Sequence, residues 1–528
     1  MISFANIDRK ADRMPTNPLH FTVVSDTHYY SKRLGTGGRA YELDNQKSQK
    51  LLAKAEEALR AAFTQIAKDD RSDIVLLSGD VVNNGEMFCH EEMIELLREL
   101  QSAGKRVFVV TATHDYNEGC VYEGDQKLPT PSATREDLRE LYYEFGPAQA
   151  IAYHEESYSY VAQLAEGYRL FALNDDKNGE GSSGFSREAV EWIKNQIEDA
   201  KASGQMVIPM THHPVIAPSP FYAMIGKGDM MGGHAAFREL LADAGVPFLF
   251  TGHTHIQDIS HCVSARGNVF YDVTTPSLVG YPGLYRHAVA DKDANTLEIS
   301  TEHITEELDF DLKEAFESQF FGMVRDVITA AATSIPRFSE MARAFSIKPR
   351  MSLRFGWVAK PVAKWLTRLR IGKVAKWTRA ETGLHPEDYA AIRDDSVVDF
   401  IITLVMRLFG GDAPYTPDTP QYKITIGLLN IIDSLLNVFG VKFKTRSLVE
   451  PLLYNAGICD DHAVLDLAKA PVLPVYEETV RESRKGPWIL AFAILLAIIL
   501  LPLVPVILFG AAIAIIVNEL RFWKQIRA

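Results

Sequence analysis

The chain has 528 residues, a formal net charge of −13 and 47% hydrophobic residues. This length allows two or more domains, and the apolar content supports a large core, which excludes an intrinsically disordered chain. The four cysteines, at positions 89, 120, 262 and 459, are widely spaced and form no Cys-x-x-Cys pair. Neither a disulfide framework nor a structural zinc module is therefore indicated, and a reducing compartment fits best.

The first 18 residues read as an N-terminal extension. Met1 to Lys10 contains no apolar stretch of the kind that forms the centre of a signal peptide. We therefore expect the region that follows to stay on the cytoplasmic side of the cell membrane.

Five short apolar runs follow, beginning at Phe21, Asp73, Arg106, Met206 and Pro247. They are rich in β-branched and aromatic residues and too short for helices, which predicts buried strands. Each run ends on residues of the type that bind metals: Asp26-Thr27-His28, Gly79-Asp80, Thr113-His114-Asp115, His212-His213-Pro214 and Gly252-His253-Thr254-His255.

Helical patterns lie between several of these runs, at Ser48 to Lys68, His90 to Ala103 and Ser186 to Ser203. Strands that alternate with helices indicate βαβ units and an α/β fold with parallel strand pairing. The ligand-type residues should then gather at the carboxyl edge of the sheet. Their mixture of carboxylates and imidazoles favours Mn²⁺, Fe or Zn²⁺ over Ca²⁺, which prefers oxygen ligands alone.

In this order, the motifs resemble those of the calcineurin-like metallophosphoesterases, over roughly residues 19 to 305. The resemblance implies a β-sandwich flanked by helices and a site for two divalent metal ions. By motif, Asp26, His28 and His255 would hold one ion, His212 and His253 would hold the other, and Asp80 would bridge both. The second His of His212-His213-Pro214 would be a loop or outer residue.

One motif departs from the family pattern, because Gly-Asn-His-Asp reads Ala112-Thr113-His114-Asp115 here. Thr113 stands where the family has an Asn ligand of the second metal ion. Either Thr113 still coordinates that ion, directly or through water, or it only completes the turn and leaves the second site weak or empty. The resemblance places His114 at the leaving group and gives Asn83 the role of orienting it.

The resemblance implies a metal-dependent phosphoric ester hydrolase that cleaves a phosphomonoester or phosphodiester by attack of a metal-bound hydroxide. Two alternatives remain open. One is a cyclic-nucleotide or nucleotide hydrolase; the other, motivated by Thr113, is a membrane-tethered binding protein without turnover.

Residues 306 to 480 read as a helical domain, with apolar stretches at Val397 to Phe409 and Ile424 to Phe439 that suit buried or interfacial helices. Within it, Lys348 to Arg379 holds ten Lys or Arg, no acidic residue and three of the six tryptophans. This amphipathic pattern favours contact with an anionic membrane surface. A solvated basic face with inward-packed aromatics is the alternative, and nucleic-acid binding is less favoured because the rest of the chain is acidic.

Residues 487 to 517 form a run of 31 residues without a charge. A straight helix of this length would measure about 46 Å and exceed the hydrocarbon core of roughly 30 Å. The run, which contains Pro502 and Pro505, therefore predicts a kinked transmembrane span or a re-entrant hairpin. Attachment of the catalytic domain to a membrane in turn suggests a lipid-linked or membrane-proximal substrate.

Overall fold

The computed structural model describes residues 17–176, 183–218, 229–342, 360–411 without residue 362, 415–438, 444–453 and 458–471. The strands in chain order are β1 (Leu19–Val24), β2 (Ile74–Ser78), β3 (Arg106–Val110), β4 (Cys120–Glu123), β5 (Gln126–Pro129), β6 (Ala150–His154), β7 (Ser159–Ala165), β8 (Tyr168–Ala172), β9 (Met206–Met210), β10 (Phe248–Thr251), β11 (Asp258–Val263), β12 (Val269–Thr274), β13 (Leu284–Asp291), β14 (Thr296–His303) and β15 (His462–Asp466). The α-helices are Arg39–Asn45, Ala55–Lys68, Met87–Ser102, Arg135–Leu141, Arg187–Ala202, His234–Asp243, Leu312–Thr333, Ile335–Ala342, Ile371–Thr378, Pro386–Ile392, Val397–Gly410, Pro420–Val438 and Arg446–Leu453.

The strands form two mixed sheets and a hairpin of β4 and β5. The first sheet has the order β15-β14-β13-β1-β2-β3, and its β1, β2 and β3 are parallel. The second has the order β11-β12-β10-β9-β8-β7-β6, with β12, β10, β9 and β8 parallel. The expected parallel pairing is thus present, but the five predicted strands are divided between two sheets.

The two sheets pack face to face around an apolar core. Phe21 of β1 and Phe250 of β10 meet edge to face across it, with ring centroids 5.5 Å apart. The outer face of the first sheet is covered by helices Ala55–Lys68 and Met87–Ser102, and that of the second by Arg187–Ala202 and His234–Asp243. Strands buried on both faces read as continuous apolar runs, which is why the sequence shows them clearly. The predicted sandwich flanked by helices is confirmed.

The remaining helices, from Leu312–Thr333 onward, pack around a separate apolar core. Val397–Gly410 and Pro420–Val438 contribute buried side chains to it, as expected for buried apolar helices. Residues 306 to 480 were predicted to be helical, but this region also contains a strand, β15, which pairs with β14 and extends the first sheet. Its alternation of exposed and buried residues spans only five positions, too few to stand out from the helical patterns around it.

Among the described residues, no helix is long and apolar enough to cross a bilayer. The predicted membrane segment, 487–517, lies outside the described residues, as do residues 348–359 and 362 of the basic segment. The membrane segment therefore remains a prediction from sequence.

Candidate metal centre

The predicted ligands lie on loops that follow the carboxyl ends of strands from both sheets. Asp26 and His28 follow β1, Asp80 follows β2, His212 follows β9, and the His253-Thr254-His255 motif follows β10. Asp26, His28, Asp80 and His212 are almost completely buried. The sandwich thus brings together residues that are more than 200 positions apart in sequence.

The backbone at these loops is constrained. Asp26, His28, Asp80, His253 and His255 all have positive φ values, between 36° and 65°. For residues other than glycine such conformations cost on the order of 1–3 kcal/mol each, and they persist where the surroundings over-determine them. Here backbone hydrogen bonds join the two loops of the first sheet, from the Asp26 N–H to the Gly79 carbonyl and from the His28 N–H to the Asp80 carbonyl.

Two glycines in these motifs allow a close approach of backbone to ligand. A Cβ at Gly252 would lie 2.5 Å from Asp26 Oδ2, and one at Gly79 would lie 2.7 Å from His212 Cγ. Both contacts are too short for any residue with a side chain, so these positions require glycine.

Asp26, His28 and His255 form a first group of converging atoms. The Nε2 atoms of the two histidines are 3.0 Å apart, and they lie 3.6 Å (His28) and 3.2 Å (His255) from Asp26 Oδ1. Asp26 Oδ1 is buried and accepts no hydrogen bond. A buried carboxylate oxygen without a donor, facing two imidazole nitrogens, fits a divalent cation of the Mn²⁺, Fe or Zn²⁺ type.

His212 and His253 form a second group beside it. His212 Nε2 lies 3.3 Å from His253 Nδ1 and 3.1 Å from Asp80 Oδ2. The other ring nitrogen of His212 is 2.9 Å from the Ser78 carbonyl, to which it can only donate. That hydrogen bond selects the tautomer that leaves the Nε2 lone pair free for a cation.

Asp80 lies between the two groups. Its Oδ2 is 3.1 Å from His212 Nε2 and 3.7 Å from His28 Nε2, and its Oδ1 accepts a hydrogen bond from the His114 backbone N–H. This is the placement that a bridging carboxylate requires.

The electrostatics keep both aspartates ionised. Burial opposes ionisation of Asp26, but His255 and His28 hold its pKa well below the usual range. Burial likewise opposes ionisation of Asp80, and His212 and His114 outweigh it, so its pKa is also lowered. Two buried carboxylates that remain charged need positive charge beside them, which a divalent cation provides.

His114 and Thr113 lie on the 3-10 turn Thr113–Asp115 after β3. The His114 ring packs edge to face on His28, with centroids 5.0 Å apart, and its Nδ1 is 2.9 Å from the Asn83 backbone carbonyl. Asn83 therefore contacts His114 through its main chain, whereas its side chain accepts a hydrogen bond from Lys50. Thr113 is exposed, and whether it coordinates a cation stays a prediction.

The structure adds His213 to this neighbourhood. His213, His212 and His253 have ring nitrogens within 4.8 Å of one another. The Nδ1 of His213 is 3.2 Å from the buried carboxylate of Asp175. The sequence predicted His213 to lie outside the ligand set and did not identify Asp175. The run Asn174-Asp175-Asp176, which begins two residues after the end of β8, is nevertheless a strand-end signal of the same kind.

Gln49 and Lys50 were also missed. Gln49 Nε2 is 2.6 Å from His255 Nδ1, and Lys50 Nζ is 3.4 Å from His28 Nδ1. Both residues lie in the stretch Ser48 to Lys68 that the sequence predicts as helical, but in the structure they precede the helix, which begins at Ala55. A helical pattern gives no indication of contacts to distant histidines.

A sandwich of two mixed sheets, with aspartates and histidines gathered where the strands end, is the architecture of a metallophosphoesterase. The profile of one family, described as calcineurin-like phosphoesterase, matches residues 19–257. Residues 19–257 therefore form a domain of the calcineurin-like phosphoesterase family, which confirms the resemblance seen in the motifs.

Several solved structures show similarity to this chain at low identity. A dimetal phosphatase from Danio rerio is 14% identical, with a TM-score of 0.42, and the match covers 55% of this chain and 98% of that one. A purple acid phosphatase from yellow lupin seeds is 12% identical, with a TM-score of 0.32 over 56% of this chain and 53% of that one. GAP50, the anchor in the inner membrane complex of Plasmodium, is 11% identical, with a TM-score of 0.30 over 58% and 95%. No curated protein sequence matches the chain.

Proposed function

We propose that this chain is a membrane-attached, metal-dependent phosphoesterase that hydrolyses a phosphomonoester or phosphodiester on the cytoplasmic side of the cell membrane. The observation that carries the catalytic part is the placement of Asp80 between two groups of cation-type ligands. Asp26, His28 and His255 would hold one divalent ion, and His212 and His253 the other. When bound, the two ions would supply a nucleophile at neutral pH and neutralise the phosphoryl oxygens.

The chain's own contribution beyond these ligands is to the leaving group. The Asn83 carbonyl oxygen is an acceptor, so its hydrogen bond with His114 requires a proton on Nδ1 of the imidazole. The other ring nitrogen, Nε2, is then available to exchange a proton with a leaving oxygen. The His114 ring also packs against His28, one of the proposed ion ligands, so a phosphate bound at that ion would lie beside it. Thr113 would complete the second ion's coordination if its hydroxyl reaches the ion.

The membrane part rests on the uncharged run 487–517 and on the basic segment 348–379. The described basic residues of this segment are all exposed: Lys360, Lys364, Arg368, Arg370, Lys373, Lys376 and Arg379. Trp365 and Trp377 instead stack on each other and pack against the helical core. This part of the segment would therefore contact anionic lipid through charge rather than through inserted tryptophan, which makes the contact sensitive to salt.

The first experiment measures metal content and hydrolysis by the full chain, using aryl phosphomonoester and phosphodiester substrates and a titration with Mn²⁺. Turnover that depends on Mn²⁺ supports the enzyme and shows which ester class it accepts. A folded, Mn²⁺-loaded chain that hydrolyses neither these esters nor nucleotides nor lipid-linked phosphates in vesicles contradicts the proposal in favour of a binding protein.

The membrane part is tested by flotation with vesicles, comparing the full chain with a chain ending at residue 486. We expect the full chain to float with all vesicles, and the shorter chain to float only with anionic vesicles at low salt. A full chain that stays in solution contradicts membrane attachment. If the shorter chain keeps its full activity both on soluble nucleotides and on lipid-linked esters, the membrane segment only localises the enzyme.

A further inference from the structure

Segment 45–50 runs from the last residue of helix Arg39–Asn45 towards helix Ala55–Lys68. It passes beside the first group of candidate ligands. It presents Gln49 to His255 Nδ1 at 2.6 Å and Lys50 to His28 Nδ1 at 3.4 Å. Both contacts are made on the side of the imidazole ring away from Asp26. An outer residue orients a metal-binding histidine by accepting the N–H of its other ring nitrogen, which the Gln49 side chain can do and the Lys50 ammonium, a donor only, cannot.

Gln49 can select the tautomer of His255. Its Oε1 is buried without a hydrogen-bond partner, while its Nε2 lies beside His255 Nδ1. A half-turn of the carboxamide exchanges these two atoms, so that Oε1 accepts the Nδ1–H of His255 and the orphaned oxygen is satisfied. The lone pair of His255 Nε2 then faces Asp26, as cation binding requires.

Lys50 connects the same segment to His114. Its Nζ donates to Asn83 Oδ1 at 2.7 Å, and the backbone carbonyl of Asn83 is the group that contacts His114. A shift of segment 45–50 would therefore disturb both the first ion position and the residue next to the leaving group.

The segment is held by the helical region. Gln319, on helix Leu312–Thr333, lies close enough for its Nε2 to donate to two backbone carbonyls of the segment, that of Asn45 at 2.8 Å and that of Ser48 at 2.9 Å. The next residue, Phe320, is buried in the core of the helical region. Gln319 thus joins a helix anchored in the core of the helical region to segment 45–50, which contacts His28 and His255 of the metal centre.

We propose that Gln319 is a positioning residue for the metal centre: it holds segment 45–50 so that Gln49 fixes the ring of His255, and the helical region thereby sets the cation affinity of the site. This inference rests on the metal site of the proposed function. It gives the helical region a role in the centre itself, in addition to any contact with lipid.

The test is the Mn²⁺ affinity of the full chain, measured by calorimetry and by metal analysis after dialysis. Outer residues of metal sites typically contribute 10–100-fold to affinity, so Gln49→Leu should weaken Mn²⁺ binding by roughly that factor. Gln49→Glu should retain binding, because a carboxylate also accepts the Nδ1–H. Gln319→Ala and the isosteric Gln319→Glu, which lacks the donors, should each weaken binding by roughly 3–10-fold, as partial disturbances of the same contact.

The double variant Gln49→Leu/Gln319→Ala distinguishes positioning from general destabilisation. If Gln319 acts through Gln49, the double variant should bind Mn²⁺ no more weakly than Gln49→Leu alone. Additive losses would overturn the proposal. Arg325→Ala is the matched control. Arg325 lies on the same helix as Gln319 and forms an exposed ion pair with Asp399 of another helix, so its removal should leave the Mn²⁺ affinity unchanged.

Unchanged Mn²⁺ affinity in both folded Gln319 variants would also overturn the proposal, and thermal unfolding monitors their folding. Because the readout is binding, the two proposals fail separately. A chain that binds Mn²⁺ with the expected variant pattern but hydrolyses nothing contradicts the proposed function alone. An active chain whose Gln319 variants bind normally contradicts this inference alone.

Discussion

His212 Nε2 lies 3.1 Å from Asp80 Oδ2, although the two residues follow strands of different sheets. The contact ties the first sheet to the second at the edge where all the ligand loops meet. Burial lowers the pKa of His212, but the charge of Asp80 outweighs it and raises this pKa to about 10. In the absence of a cation the two side chains therefore form a buried ion pair.

Asp80→Asn should remove metal from both positions, because one carboxylate faces both groups of ligands. Since even outer residues of a metal site contribute 10–100-fold, we expect a loss of turnover of at least about a hundredfold. Metal analysis and hydrolysis of an aryl phosphate check this. Asp70→Asn, at an exposed position, is the control. Near-normal turnover with one ion lost would contradict the bridging position.

His114→Ala should lower turnover by about 10²–10⁴-fold, the usual contribution of a proton-transferring residue, while metal content stays unchanged. The loss should be smaller for substrates whose leaving group needs no proton, such as nitrophenyl esters. His303→Ala, on an exposed histidine of β14, controls for the substitution itself. If His114→Ala loses metal in proportion to activity, the residue belongs to the ligand set instead.

Thr113→Asn restores a carbonyl oxygen at the family's ligand position. If Thr113 lies close enough to reach the second ion, this change should tighten binding of the second Mn²⁺ and leave the first unaffected, as resolved by a two-site calorimetric titration. Thr113→Val, which removes the hydroxyl at nearly constant volume, should weaken the second ion. Identical titrations for all three chains would place residue 113 outside the coordination sphere.

His90 predicts a pH dependence of stability. It is fully buried, hydrogen-bonded to Tyr142 and to the Asp115 carbonyl, and burial lowers its pKa to about 4 from an ordinary value of 6.5. Between pH 6.5 and pH 4 the His90 side chain takes up a proton in the unfolded chain but not in the folded chain. The contribution of neutral His90 to the free energy of unfolding is therefore complete above pH 6.5 and is lost as the pH falls to 4.

Over this range the wild-type chain should lose about 3 kcal/mol more unfolding free energy than His90→Gln, which stays neutral. Urea unfolding of the metal-free chains between pH 4 and 7 measures the difference. Parallel stability curves would mean that His90 is protonated in the folded state.

The pairing of β15 with β14 predicts how the chain can be shortened. A chain ending at residue 305 lacks β15 with its buried Ala463 and Leu465, and it also lacks the Asp460 carbonyl, to which the buried Arg286 donates. A chain ending at residue 471 keeps all of these. We expect the shorter chain to be less stable in urea by about 3 kcal/mol or more, since each buried group that loses its partner costs about 1–3 kcal/mol. Equal stabilities would mean that the sandwich is complete without β15.

Sequence reasoning located the strands that precede the candidate ligands because β1, β2, β3, β9 and β10 are buried at nearly every position and read as apolar runs. It could not assign them to two sheets, because the runs carry no information on which strands are neighbours. It missed β15 for a related reason: five alternating residues acquire meaning only through β14, about 160 positions earlier.

The sequence by itself identifies the candidate ligands, because they follow the ends of apolar runs and because the chemistry of carboxylates and imidazoles is a property of the residues themselves. These candidates are Asp26, His28, Asp80, His212, His253 and His255. Only the tertiary structure decided what surrounds them. Gln49 and Lys50 contact His255 and His28, Asp175 contacts His213, and Gln319 binds the backbone of segment 45–50. The sequence does not indicate which residues make these contacts. Contacts of this kind depend on the path of the folded backbone, which brings distant residues together through the packing of two cores.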